Sequence, residues 1–235
     1  MNVMLIGAQG SGKGTQAQLL EEDLNLKSCA SGELLRDAIA RETDLGKEAK
    51  PYYDRGDLVP DELVAGLILE RLRELGDTFG IILDGFPRTI TQAQLLDDML
   101  SQTGQRIDAV IYLHVPREVL LDRLSGRYLC RANNHVWNIK THPTKIPGIC
   151  DYDGSELYQR ADDTGEKIER RLDIFFSETI QLVDYYRAQK KLIQLDGNRS
   201  VEEVHLRIME SLRVVRPDDN RWRRLWRQIS GTAGR

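Results

Sequence analysis

Residues 1–15, MNVMLIGAQGSGKGT, set a short apolar run directly before a glycine-rich turn that carries one lysine, Lys13. Beyond the turn, Ala17, Leu19 and Leu20 fall at helical spacing as far as residue 22. Strand, loop and helix in this order make an anion site. Glycines let backbone N–H groups converge, the helix N-terminus adds partial positive charge, and Lys13 supplies a mobile ammonium. A glycine turn without a ligand requires neither the strand nor the helix, so this context points to nucleotide binding. The strict form of such a loop has Ser or Thr next to the lysine, whereas here Gly14 intervenes and the hydroxyl is Thr15.

This opening commits the chain to an α/β fold. Further short apolar runs at residues 26–30, 80–83, 109–113 and 191–195 are each separated by segments of helical period. Strands so spaced pair in parallel through helical crossovers, which predicts a five-stranded parallel sheet with helices on both faces. Two stretches break the rhythm. Residues 31–75 are helical in pattern throughout, with Pro60 at a helix start, and predict a small helical lobe. Residues 127–163 are rich in His, Asn, Pro, Gly and Cys, lack helical period, and predict a small β-rich lid. Residues 165–187 then read as one long helix. The expected organisation is a core of residues 1–30, 76–126 and 164–213, the helical lobe 31–75, the lid 127–163 and an extension 214–235. In the extension Arg216, Arg221, Arg223, Arg224 and Arg227 alternate with Trp222, Leu225, Trp226 and Ile229. Its simplest form is a short amphipathic element packed on the body; an external partner is the alternative.

Charge narrows the function. Lys and Arg number 33 against 37 Asp and Glu, a net charge of −4, which argues against a broad nucleic-acid surface and makes any anion site local. The opening run is too short for a leader core and has no basic flank, and no stretch approaches the roughly 20 apolar residues of a membrane span. The expectation is a cytoplasmic protein with neither nucleic acid nor membrane as partner. Cys29 lies in an apolar strand and reads as core, whereas Cys130 and Cys150 in a reducing compartment read as a metal pair before a disulfide. His114 reads as a strand end, His205 as a helix-surface residue and His142 as part of a lid turn, none with an assigned role.

Four motifs occur in order: GAQGSGKGTQ, ASGELLR at residues 30–36, DGFPR at 84–88 and QRADD at 159–163. Together they resemble the adenylate kinases with a long lid, over about residues 1–212. The resemblance implies a parallel-sheet core, an AMP-binding helical lobe and a lid, and reversible transfer of the terminal phosphoryl group of Mg-ATP to AMP, giving two ADP. It further implies that Gly10, Ser11, Gly12, Lys13, Gly14 and Thr15 bind the ATP phosphates. Ser31, Arg36, the backbone of Asp57, Leu58 and Val59, the run Gly85, Phe86, Pro87 and Arg88, and Gln92 would bind AMP. Arg123 and Arg127 match lid-entry arginines that bind ATP, and Arg160 and Arg171 match those on the AMP side that clamp the phosphates when the lid closes. Val136 and Trp137, with the segment around Arg199, would flank the ATP base, and Asp84 would hold waters of the bound Mg2+. Family members with this lid are usually monomers. Gln9, Ser31 and Trp137 depart from the commoner Pro, Thr and Tyr, which implies altered affinity at most.

The chemistry agrees with this set. Joining two polyanions requires that their repulsion be cancelled, and Lys13, Arg88, Arg123, Arg127, Arg160 and Arg171 supply the catalytic cations, with Arg36 on the AMP side. Arginine suits the task because its planar fork binds phosphate oxygens in pairs. The attacking phosphate oxygen is already ionised near neutral pH, since second phosphate pKa values are about 6, so no general base is needed. A kinase for another nucleoside monophosphate, a GTP donor, and a non-catalytic nucleotide sensor are the alternatives. In the lid, many relatives carry four Cys, or three Cys and an Asp, around structural Zn2+; the matching places here are Cys130, Asn133, Cys150 and Asp153. Asparagine is a poor zinc ligand and His135 a good one, so the candidate quartet is Cys130, Cys150 and Asp153 with His135 or Asn133. A metal-free lid held by hydrogen bonds is the alternative.

Overall fold

A computed structural model describes residues 1–75, 80–160, 162–163 and 165–218. Its centre is β1 (Val3–Ile6), a strand buried on both sides. Val3 and Leu5 point to one face and Met4 and Ile6 to the other, as the period of two requires. With β2 (Lys27–Ala30), β3 (Ile81–Asp84), β4 (Ala109–His114) and β8 (Leu192–Asp196) it forms a parallel sheet in the order β2-β3-β1-β4-β8. The five strands match the five apolar runs to within about two residues at each end, the usual uncertainty of boundaries.

Helices cover both faces, as an all-parallel sheet demands. On one face α1 (Lys13–Leu24) and α9 (Val201–Val215) bury Ala17, Leu20, Leu24, Val204, Ile208 and Leu212 against Val3 and Leu5. His205 ties these two helices: its Nδ1 lies 3.1 Å from Gln16 Oε1 and its Nε2 2.9 Å from Asp23 Oδ2. It is therefore a half-buried bridge and not the plain surface residue that helical position suggests. On the other face α5 (Ile90–Ser101), α6 (Arg117–Ser125), α7 (Gly165–Ile174) and α8 (Gln181–Ala188) close a larger apolar cluster. Cys29 is fully buried there, and burial pushes its thiol up to about 12, which fits a core residue.

The expected single helix over residues 165–187 is interrupted. Phe175–Thr179 form a π-helical turn, in which Ile180 N donates to Phe175 O at 2.9 Å. The buried positions Leu172, Phe175, Thr179 and Leu182 keep steps of three and four through the turn, so the sequence period carries no sign of the wider ring.

Between β2 and β3 the chain forms α2 (Ser31–Ala40), α3 (Asp44–Arg55) and α4 (Asp61–Leu75). The Thr43 side chain caps α3 by accepting from Gly46 N at 3.1 Å, and Gly56 ends it in the left-handed region at φ 75°. A β5 (Arg127–Cys130), β6 (Val136–Asn138) and β7 (Leu157–Tyr158) antiparallel sheet, in the order β6-β5-β7, makes up the second inserted unit, with Cys130, Trp137 and Cys150 as its buried centre. Past α9, the Arg216 guanidinium donates to Asp108 Oδ1 at 2.6 Å. The aromatic and basic residues of the extension from 219 onward, and the junction at 76–79, lie outside the described residues.

The α2–α3 contact depends on one missing methyl. A Cβ on Gly46 would stand 2.1 Å from Ala38 O, a backbone atom that cannot swing aside. Gly46→Ala is expected to lower stability by about 1–3 kcal/mol, read as a drop of several degrees in Tm, while an alanine at the open Gly104, offset only by its positive φ, lowers it less.

Candidate active site

The β1-to-α1 turn brings the loop residues to the carboxyl end of the sheet, where open α/β folds bind ligands. Gly12 starts α1 at φ 95°, a conformation that only glycine takes without strain. Lys13 Nζ donates to Gly7 O at 2.6 Å and Ala8 O at 3.0 Å, so the ammonium lies folded over the loop. Burial lowers its pKa to about 8; Asp84 pushes back, and Arg88, Arg127 and Arg171 add to the lowering. Ser11 Oγ and Gln9 Oε1 are buried with no hydrogen-bond partner among the described residues, a polarity the loop itself leaves unanswered.

Asp84 closes β3 beside this loop; a Cβ on Gly14 would lie 3.8 Å from its Oδ2. Next to it Ser31 Oγ donates to Gly85 O at 2.7 Å, and Arg88 Nε donates to the same oxygen at 2.8 Å. Burial lowers the Arg88 pKa, opposed first by Asp84 and then by Asp162. Gln92, nearly fully buried, accepts from Arg88 N at 2.7 Å through Oε1 and donates to Asp61 Oδ1 at 2.6 Å through Nε2. Val59 is buried and Leu58 half-buried at the loop after α3, where Asp57 pairs with Arg55 and Arg170. Arg36, on α2, is lowered by burial and by Arg160, which places it in the same field as the lid arginines.

Two buried carboxylates hold those arginines together. Arg127 forms a fork with Asp163, Nε to Oδ2 at 2.7 Å and Nη2 to Oδ1 at 2.5 Å. Arg160 forms a second fork with Asp162 at 2.9 and 2.7 Å, and Arg171 Nη1 reaches both, at 2.9 Å from Asp162 Oδ2 and 3.3 Å from Asp163 Oδ1. Burial alone would raise the Asp162 pKa, but Arg171, Arg160 and Arg36 outweigh it and leave the carboxyl at about 2. Arg123 donates to Gly10 O at 3.3 Å and to Gly197 O at 3.1 Å, joining the phosphate loop to the segment that carries Arg199. Arg199 itself turns to Asp196 and Glu203.

Of the expected base-flanking pair, Val136 is exposed but Trp137 is only 3% exposed. Its ring stacks on His142 at 5.2 Å between centroids, packs against Tyr152, and its Nε1 donates to Cys150 Sγ at 3.4 Å. The indole is thus a core side chain of the lid.

Cys130, His135, Cys150 and Asp153 bring one ligand atom each to within 4.8 Å of one another. His135 Nδ1 lies 3.3 Å from Cys130 Sγ, 3.4 Å from Cys150 Sγ and 3.1 Å from Asp153 Oδ2. A tetrahedron with zinc bonds of about 2.0–2.3 Å has edges of about 3.3–3.8 Å, close to these distances. Asn133 lies at the edge of this group and donates Nδ2 to Asp153 Oδ2 at 3.0 Å. Hydrogen bonds from the Ser155 hydroxyl and backbone, then from Asn133 and Cys130, hold the Asp153 carboxyl far below the usual range.

A sequence model of the family described as adenylate kinase matches residues 5–191. The chain belongs to the adenylate kinase family. It is 42% identical over 214 residues to the adenylate kinase of Streptomyces avermitilis, covering 91% of this chain and 97% of the relative. The adenylate kinases of Moorella thermoacetica and Bacillus subtilis are 43% and 41% identical over 212 residues, covering 90% of this chain and 98% of each relative. The matched span takes in the phosphate loop, α2–α4 and the lid.

The cleft contains three side chains to which reasoning from sequence gave no role. Asp162 and Asp163 stood in plain view in QRADD, where two adjacent acids beside an arginine are a visible signal. Asp61 had none beyond its place at a helix start.

Because Lys13 releases its proton near pH 8 without ligand and a polyphosphate favours the ammonium, nucleotide binding is expected to take up protons around pH 8–9 and almost none at pH 6. Calorimetric titration with ATP in buffers of different ionisation enthalpy measures this, and Lys13→Met removes the uptake.

Proposed function

We propose that this cleft carries out ATP:AMP phosphoryl transfer with the residues that the motifs single out. One observation carries the reading: Lys13, Arg88, Arg127, Arg160 and Arg171 act on one another electrostatically from the phosphate loop, from the turn after β3 and from the lid and α7. Only a ligand of high negative charge suits so many cations in one place. Gly10 to Thr15 and Arg123 hold the ATP phosphates, with Val136 and the Arg199 segment toward its base. Ser31, Arg36, residues 57–59, Gly85 to Arg88 and Gln92 hold AMP.

In the reaction an oxygen of the AMP phosphate attacks the terminal phosphorus of ATP. The bond from that phosphorus to the bridging oxygen breaks, and the electron pair stays on the departing ADP. No proton moves at the reacting atoms, so orientation and charge cancellation do the catalysis. Arg127, Arg160 and Arg171 trade part of their carboxylate contact for phosphate oxygens. Asp84, a hard oxygen donor beside Gly14, fits water ligands of Mg2+, which when bound neutralises charge on the ATP phosphates. Residues 31–75 act as the AMP-binding lobe and 127–163 as the lid, closing on a core of 1–30, 76–126 and 164–213 and keeping water from the transferred group.

For the lid, the quartet of Cys130, His135, Cys150 and Asp153 supports a structural Zn2+ with His135 in the fourth place and Asn133 as a support to Asp153. When bound, the metal cross-links β5 to the turns around Cys150 and Asp153. The chain works as a monomer in the cytoplasm in this reading.

A coupled assay of ADP formation from ATP and AMP tests the transfer. Lys13→Met and Arg88→Ala are each expected to reduce kcat/KM by about a hundred- to a thousandfold with the fold intact. Undiminished rates, or a better acceptor than AMP, sink the reading. For the lid, protein purified without added metal is expected to hold one zinc per chain and to melt lower after chelation, with His135→Ala losing the metal more readily than Asn133→Ala.

A further inference from the structure

Asp61 opens α4, and its carboxylate reaches across to the start of α5. Oδ1 accepts from Gln92 Nε2 at 2.6 Å and Oδ2 accepts from Thr89 Oγ1 at 3.1 Å. Thr89 Oγ1 in turn accepts from Gln92 N at 3.1 Å, which caps α5, and Gln92 Oε1 accepts from Arg88 N at 2.7 Å. The two groups that face the Gln92 amide each work in one sense only: the Asp61 carboxylate accepts and the Arg88 backbone N–H donates.

A glutamine amide keeps nearly the same shape when its oxygen and nitrogen exchange places, so shape alone does not set its sense. Here the surroundings do. Turned over, the carbonyl oxygen of Gln92 would face a carboxylate and its NH2 group would face a backbone N–H, two hydrogen bonds replaced by two like-with-like contacts. Gln92 is 1% exposed, so water cannot make good the loss. One N–H and one lone pair of the amide remain uncommitted. The edge of adenine presents a donor at N6 beside an acceptor at N1; guanine presents the reverse, an acceptor at O6 beside a donor at N1. An amide locked in one sense can satisfy one order and leaves the other mispaired, whereas an amide free to turn accommodates both.

We propose that Asp61 is a positioning residue that fixes the amide sense of Gln92 and thereby sets the preference for adenine over guanine in the acceptor nucleotide. The inference rests on the reading of Gln92 as part of the AMP site. It assigns to an acid on the helical lobe a part in selectivity, with no contact of its own to the base.

The test compares AMP with GMP as acceptor at saturating ATP in the unaltered protein, Asp61→Ala, Asp61→Asn, Gln92→Ala and the Asp61→Ala/Gln92→Ala pair. Asp61→Ala is expected to reduce the ratio of kcat/KM for AMP over GMP by about tenfold or more, chiefly through KM for AMP, with KM for ATP within about twofold of its starting value. Asp61→Asn, which keeps the shape but offers a donor as well as an acceptor, reduces the ratio by less. The paired substitution loses no more selectivity than Gln92→Ala alone, because both act through one amide. If Gln92→Ala collapses the ratio while Asp61→Ala leaves it intact, the role of Asp61 is overturned and the reading of Gln92 survives. If Gln92→Ala leaves the ratio unchanged, that reading fails and takes the inference with it. Should Asp61→Ala not fold, an unchanged ratio in Asp61→Asn is sufficient to overturn the inference.

Discussion

The molecule is organised around the storage of positive charge. A cleft that must bind two polyphosphates needs guanidinium groups gathered before the ligand arrives, and bare gathering is costly when the groups are shielded from water. Asp162 and Asp163 resolve the conflict. Each is buried, each accepts a forked pair of hydrogen bonds, and Arg171 spans both. The carboxylates hold the arginines at fixed positions with their N–H groups already aimed. Preorganisation of this kind is where enzymes obtain much of their electrostatic stabilisation.

The sheet decides where that store can be used. Because β1 and β3 are adjacent and parallel, their carboxyl ends bring the glycine loop and Asp84 side by side, and the turn after β3 adds Gly85 and Arg88. The two insertions then reach the same place from different directions: α2 contributes Ser31 and Arg36, while the lid and α7 contribute Arg127, Arg160 and Arg171.

The lid shows a different economy. It has too little apolar surface for a core of its own: its buried centre is Cys130, Trp137 and Cys150, with Tyr128 and Leu157 packed against it. The indole of Trp137, roofed by His142 and hydrogen-bonded to Cys150 Sγ, ties the cluster of Cys130, His135, Cys150 and Asp153 to that centre.

Much of this was legible from residues alone, and the boundary has a physical basis. The order strand, glycine loop, helix, the five apolar runs and the two irregular insertions are local signals, because backbone geometry and periodicity act over a few residues; they determined the parallel fold, while the four ordered motifs carried the resemblance to the family and the cationic character of the site. The burial of Trp137, the π-helical turn at Phe175–Thr179, the bridge made by His205, and the gathering of His135 with Cys130, Cys150 and Asp153 depend on which side chains meet in the folded chain. So does the chain of hydrogen bonds from Asp61 through Gln92 to Arg88 N, which spans 31 residues between its first two members. Spacing along the chain constrains which atoms can be neighbours, but only tertiary packing decides the distance and direction on which hydrogen bonding and metal ligation depend.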